Sequence, residues 1–411
     1  MSLWRKAALI VRRALSLTNP DGWSPAGGAS HAGETVTASS VLGLSAAWAC
    51  VNLLSGTIAS LPLMVYRTDA KGSRTIAKDH PLYRVLHDSP NADQTAVDFW
   101  EFATASIELW GNAYARIERA QRRVVALAPV RPDIVTVRRL ASGDLEYRWT
   151  EDGQAYAVTQ ADMFHIRGFG GDPLGGLSTL SYGRHAFGLA TAIDRAAGSM
   201  FKNGMRPSVA LTFEKFLTNE QRDIVEAKLV AKYIGAMNTG RPFINEGGSK
   251  LTPLSINPED AQMLESRGFS VEEVCRFFGV PPFMVGHTEK TTSWGTGLEQ
   301  QTLGFQKFTL RRRLKRIEQA IWKQLLTPED RAAGITIEFN IEGLLRGDSA
   351  ARAAFYTAML NAGVMTINEV RALENLPPVP GGDVPRMQMQ NVPITQAGIG
   401  HNGGPPLEDA A

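Results

Sequence analysis

Apolar positions recur along this chain at two spacings, and the two alternate. Ser45 to Ser60 reads as a buried helix, followed by a short apolar strand from Leu61 to Arg67. Thr95 to Gly111 carries Trp100, Ala103, Ile107 and Trp110 at helical spacing. From Asn112 to Arg167 the pattern turns strand-like, punctuated by Ser142-Gly143-Asp144 and Glu151-Asp152-Gly153. Tyr182 to Asn203 is helical again and closes at Gly204. The longest helix is expected to begin near Leu298. Leu303, Leu310, Leu314, Ile317, Ile321 and Leu325 fall on one narrow stripe there.

Capping chemistry marks several helix starts. Thr218 with Gln221 reads as a capping box, with Gly235 closing that helix. Asn257-Pro258-Glu259 supplies an N-cap, a first-turn proline and an acid at the positive helix end. Ser270 with Glu273 reads as a further box, stapled by Phe269 and Val274, and Gly279 with Pro281-Pro282 stops that helix. Thr366 with Glu369, flanked by Met365 and Val370, repeats the logic. Residues 19–40 read as a flexible lead-in, and residues from about 379 onward as a tail without a core.

Composition excludes more than it selects. The 411 residues are 44% hydrophobic and 20% charged, enough for two or three globular domains. A net charge of +2 argues against a static nucleic-acid clamp, while leaving room for a surface over which DNA slides. The two cysteines, Cys50 and Cys275, make neither a disulfide scaffold nor a zinc site. No apolar run is long enough to cross a bilayer. The basic, apolar-alternating segment Met1 to Leu17 fits an amphipathic helix on a membrane or on DNA, or a frayed or partner-docked terminus; the second is favoured.

Catalytic signatures are missing from the sequence: no H-E-x-x-H, no C-x-x-C and no phosphate loop. Gly168-Phe169-Gly170-Gly171-Asp172-Pro173 begins like a dinucleotide fingerprint but places Pro173 at the third glycine, and reads as a turn cluster. Ser178 lacks the framing glycines of a nucleophile elbow. The histidines are scattered, and acidic pairs such as Glu272-Glu273 are explained by helix starts. The expectation is a non-enzyme without cofactor or metal.

Two features stand out. Arg311, Arg312, Arg313, Lys315 and Arg316 lie off the apolar stripe of the long helix, as a solvated, salt-bridged face or as a contact for phosphates or an acidic neighbour. The polar loop Gly286 to Gly297 carries Trp294 between two strong helices.

Three segments resemble the portal proteins of the HK97 type, found in long-tailed phages, prophages and gene transfer agents. The first runs from Leu177-Ser178-Thr179-Leu180 through a helix to Asn203-Gly204-Met205-Arg206-Pro207. The second joins Gln262 to Arg267, Phe269 to Val274 and Phe278-Gly279-Val280-Pro281-Pro282, and continues to Glu299-Gln300-Gln301. The third is Asn368 to Pro378, closed by Gly381-Gly382-Asp383.

The resemblance implies an α+β portal fold and a ring oligomer, dodecameric in assembled phages. It implies a flexible segment over 1–40, a mixed α/β wing over 41–180, stem helices within 181–204 and 258–285, and an α/β clip over 205–257. It further implies a tunnel loop over 286–297, the long helix and return strand of the wing over 298–347, a small helical crown over 348–378 and a tail over 379–411. Implied partners are further copies of the chain, double-stranded DNA, the terminase large subunit, a head-completion adaptor and the major capsid protein. His287, Lys290, Thr291, Thr292, Ser293 and Trp294 are then expected to face DNA, with Gly286, Gly295 and Gly297 as hinges. Arg311, Arg312, Arg313, Lys315 and Arg316 are expected to touch a neighbouring subunit or capsid protein. The rivals are a nucleotide-using packaging component, which would need the missing phosphate loop, and a membrane-associated or scaffolding assembly protein without a DNA channel.

Overall fold

The computed structural model describes residues 28–385 apart from 71, 171, 203–208, 213–217, 221–222, 225–249, 254–258, 289–295, 342–348 and 375. Gln221 of the expected box with Thr218, the closing Gly204 and Gly235, the cap at Asn257-Pro258 and the amphipathic segment 1–17 lie outside the described residues. The chain divides into two compact units between Phe339 and Asn340.

In the larger unit, helix α1 (Ser45–Ala59) buries Cys50, Val51, Leu54 and Ile58. It packs on α2 (Ala96–Trp110). Thr95 accepts from the Asp98 amide and Asp98 returns the bond, while Gly111 ends the helix in the left-handed region at φ 74°. Trp100, Ala103 and Ile107 are buried as their spacing predicts. Strands β1 (Leu63–Thr68) and β2 (Arg74–Ile76) join a third from far along the chain, described below. The strand-like region contains β3 (Asn112–Ala120), β4 (Arg123–Val130), β5 (Thr136–Arg139), β6 (Leu145–Glu151), β7 (Gln154–Thr159) and β8 (Met163–Arg167). These form two antiparallel sheets, ordered β8–β3–β4 and β5–β6–β7. Tyr114, Val130, Leu145, Tyr147, Trp149 and Met163 fill a shared core between them.

The Gly-rich stretch after β8 is a close backbone crossing. A Cβ at Gly176 would lie 2.2 Å from the Gly111 carbonyl oxygen, and one at Gly111 would lie 2.2 Å from that of Leu177. Asn112 locks the crossing: its Oδ1 accepts from the Gly176 amide at 2.8 Å and from His165 Nε2 at 2.9 Å. Glycine stands at 111 and 176 because two main chains touch there.

Helix α3 (Arg184–Lys202) and α4 (Glu259–Phe278) pack on one another. Phe187 meets Phe278 near one end, and Asp194 meets Arg267 further along, so they run antiparallel. Between them the chain forms the antiparallel pair β9 (Val209–Thr212) and β10 (Lys250–Pro253). The expected helix start at Ser270 is corrected: α4 runs unbroken through it. Ser270 Oγ donates back to the Ser266 carbonyl at 2.9 Å, which occupies the hydroxyl without capping anything.

After the loop come α5 (Thr296–Gly304), a π-helical stretch Phe305–Leu310 and α6 (Arg311–Gln324). Leu310, Leu314, Ile317, Ile321 and Leu325 are buried as expected. Leu303 is not; it is 52% exposed. A π turn inserts one extra residue into the helical repeat, so the stripe shifts phase N-terminal to it. Helix α6 lies across β8 and across β11 (Ile335–Phe339), which completes the sheet β11–β1–β2. Gln324 pairs with the free edge of β8, exchanging 2.9 Å bonds with the His165 amide and carbonyl.

The smaller unit contains α7 (Ser349–Asn361) and α8 (Ile367–Leu373). The Thr366–Glu369 capping box forms as expected. Asn368 ties the chain back on itself, bonding both backbone groups of Val379 and the Asp383 carboxylate. The coreless tail was expected from 379; these bonds instead hold 379–383 against α8.

Candidate functional site

The foot of the polar loop is built by the end of α4. Gly279 turns into the left-handed region at φ 68°, and Pro281-Pro282 block further helix. A single 3₁₀ turn, Pro282–Val285, follows, ended by Gly286 at φ 83°. His287 donates its amide to the Pro282 carbonyl at 3.1 Å. Its ring passes beside Gly268, and Nε2 lies 3.9 Å from Glu272 Oε1. Glu272 also pairs with Arg276 at 3.2 Å.

A shallow cavity at this foot is lined by Glu272, Pro282 and His287 from before the loop and by Gln301, Phe305 and Thr309 from after it. The chain therefore leaves and returns at one place, the arrangement of a loop whose ends are packed together. The placement changes the expectation for His287. Its side chain is only 15% exposed and sits beside a carboxylate of its own subunit, so it belongs to the foot. Gly286 stands in the left-handed region that glycine favours, and Gly297 is the second residue of α5. Lys290, Thr291, Thr292, Ser293, Trp294 and Gly295 lie outside the described residues.

The arginine face divides. Arg313 was expected on an outer contact surface, and this is corrected: it is buried. Its Nε and one terminal nitrogen grip both carboxylate oxygens of Glu108 on α2, at 2.6 and 2.7 Å. The guanidinium also donates to the Phe278 carbonyl at 2.8 Å and to the Thr309 carbonyl at 3.2 Å. The planar fork satisfies a buried acid and the C-terminal end of α4 together. Thr309 Oγ1 adds a 2.9 Å bond to the Gly279 carbonyl. These contacts bolt the loop foot to α2.

Glu108 was missed by sequence reasoning. The available signal was an acid set between Ile107 and Leu109 on an otherwise apolar helix.

The other cations remain nearer the surface. Lys315 pairs with Glu318 at 2.7 Å, and Glu318 caps β11 by accepting from the Phe339 amide. Arg316 is half-buried, and its guanidinium is pushed below its usual range by burial and by the neighbouring Arg313 and Arg312. Arg311 and Arg312 are exposed. Arg312 and Arg316 share a groove with Phe169, Tyr182 and Phe277, three aromatics that are 73%, 43% and 41% exposed. Aromatic side chains interleaved with arginine are the composition of protein interfaces.

The family model described as phage portal protein matches residues 45–375. The chain is 41% identical over 361 residues to the portal protein of Enterobacteria phage HK97, covering 87% of this chain and 84% of that one. It is 32% identical over 370 residues to the probable portal protein of Streptomyces phage phiC31, covering 87% and 79%. Among solved structures it is similar to a chain in the neck of an empty GTA particle computed with C6 symmetry. The TM-score there is 0.59 at 24% identity, covering 82% of this chain and 91% of that one. An HK97 family phage portal protein from Corynebacterium diphtheriae gives a TM-score of 0.55 at 17% identity, covering 77% and 98%. These structural likenesses establish a shared mixed α and β fold.

Proposed function

The chain belongs to the phage portal protein family, and from that membership we infer how its residues serve a DNA passage. It is a portal subunit that acts at the capsid vertex of a phage or phage-like particle. The observation that carries this is the 41% identity to the HK97 portal protein over 361 residues, which takes in the loop foot, the paired helices and the arginine helix. The reading of a membrane-associated or scaffolding protein without a channel is not favoured by that relationship. The role assigned is structural, with no reaction of its own.

In this reading the subunits close head-to-tail into a ring, with twelve copies as the assembled form, and α3 and α4 form its stem. Residues 205–257 form a clip that meets the terminase large subunit during packaging and a head-completion adaptor afterwards. The wing meets the major capsid protein. Repetition around the axis turns modest side chains into a continuous lining. A strongly cationic lining would hold duplex through counterion release, whereas one lysine and a few hydroxyls per subunit give exchangeable contacts. Lys290 and Thr291, Thr292 and Ser293 are assigned that part, with Trp294 in the same loop. Gly286 and Gly295 provide its bends, and His287 anchors its foot.

Arg311 and Arg312, with the half-buried Arg316, are assigned to the neighbouring subunit. The support is the exposed aromatic groove that Arg312 and Arg316 share. Negative-stain images of the purified protein are expected to show rings with a central hole. Material that stays monomeric under every assembly condition, and is absent from particles, would overturn the reading.

A further inference from the structure

We propose that Cys50 and Cys275 are a redox-controlled tie, reduced while the subunit is made and joined as a disulfide by peroxide once the particle is outside the cell. They are the protein's only two cysteines. Both are buried, at 0% and 1% exposure, and their sulfurs lie 3.8 Å apart although 225 residues separate them. Cys50 stands in α1 and Cys275 in α4, two helices that pack directly on one another. A disulfide requires the sulfurs roughly 2 Å closer, a distance within reach of side-chain rotation and a small helix shift.

The contact is polarised. Cys50 donates its S–H toward Cys275, which lowers the Cys275 thiol below its usual range against the opposing effects of burial and Glu272. The same hydrogen bond, together with burial, raises Cys50. Both sulfurs are buried, so peroxide reaches them through local opening where α1 meets α4. The thiolate of one cysteine attacks one oxygen of hydrogen peroxide, the O–O bond breaks, and the departing hydroxide takes up a proton as water. The other thiol then attacks the sulfenic sulfur, the S–O bond breaks, and the second water leaves with that thiol's proton. Two thiols lose two electrons and peroxide gains them. A reducing cytosol keeps the pair open, and a released particle has no such protection.

The position gives the bond its consequence. Cys275 lies three residues before Phe278, the last residue of α4, whose carbonyl takes the Arg313 guanidinium. Joining it to α1 fixes the end of a stem helix immediately beside the loop foot, after assembly has finished with any movement there. The timing rests on the portal reading; the chemistry does not, and the purified chain tests it separately.

The folded, purified full chain is treated with hydrogen peroxide, quenched, denatured, alkylated and analysed by mass spectrometry. The expected result is a chain that has lost two hydrogens and takes up no alkylating agent, with one peptide pair joining Cys50 to Cys275. Dithiothreitol should reverse it, and the oxidised chain should unfold several degrees higher. Two freely alkylated thiols, or sulfinic and sulfonic acids without the cross-link, overturn the proposal. A Cys275→Ala chain should show no peroxide-induced rise in its unfolding midpoint; the same rise there would sink the claim that the tie causes it. Particles alkylated before opening should carry the bond, and reduced cell lysates should not. Free thiols in peroxide-exposed particles would refute the timing.

Discussion

Arg312 and Arg313 are adjacent in sequence and opposite in circumstance. One is exposed, and the other is clamped between Glu108 and the Phe278 carbonyl. Removing one member of a buried ion pair leaves a desolvated charge, at a cost of about 3–5 kcal/mol. Denaturant melts should therefore show Arg313→Ala losing that order of stability, while Arg312→Ala stays within about 0.5 kcal/mol. Equal losses would contradict the geometry.

His165 offers a second test. It is buried, with Nδ1 3.1 Å from the Tyr147 hydroxyl and Nε2 2.9 Å from Asn112 Oδ1, and burial holds its pKa well below the usual 6.5. The unfolded chain takes up a proton there below pH 6.5 while the folded chain does not, so stability falls as pH drops from 6.5 downward. The maximal slope from this one group is about 1.4 kcal/mol per pH unit. Unfolding free energies measured between pH 7.5 and 5.5 should show it, set against His165→Gln, whose slope over the same roughly two units should be shallower. Above pH 6.5 the two curves should run parallel.

At the scale of elements, caps that form can be separated from caps that only read as such. Thr95 bonds the Asp98 amide, so Thr95→Ala should cost about 1 kcal/mol. Ser270 caps nothing, so Ser270→Ala should stay within about 0.5 kcal/mol. Hydrogen exchange at the α2 N-terminus should rise in the first variant alone. The comparison also explains what was legible beforehand. Helices α1, α2 and α6 and the strands between Asn112 and Arg167 were visible because amphipathic periodicity and turn residues are local signals. Ser270 misled because S-x-x-E is also a local signal, and only the continuous packing of α4 against α3 overrides it. Leu303 misled because a π turn leaves no mark in a hydrophobic pattern. The pairing of Glu108 with Arg313 spans 205 residues, a separation that no periodicity encodes.

At the scale of the whole molecule, the exposed arginines test the proposed contact with a neighbouring subunit. Charge reversal at Arg312, as Arg312→Glu, should leave the monomer's melting curve in place while ring and procapsid yields fall; normal assembly would remove the inter-subunit assignment. Lys290→Ala should alter packaging rate or DNA retention without altering ring yield, and unchanged values for both would remove the loop contact. The extra residue in the Phe305–Leu310 stretch bears on that same loop. One residue of helix corresponds to about 100° of rotation. Under the proposed ring, that insertion acts as a clocking device, setting the rotation of α5 relative to α6. Deleting the exposed Phe308 should straighten the helix into one unbroken stripe and swing Leu303 inward. The loop would then be aimed at a different sector of the circle, in a protein whose fold is otherwise unchanged.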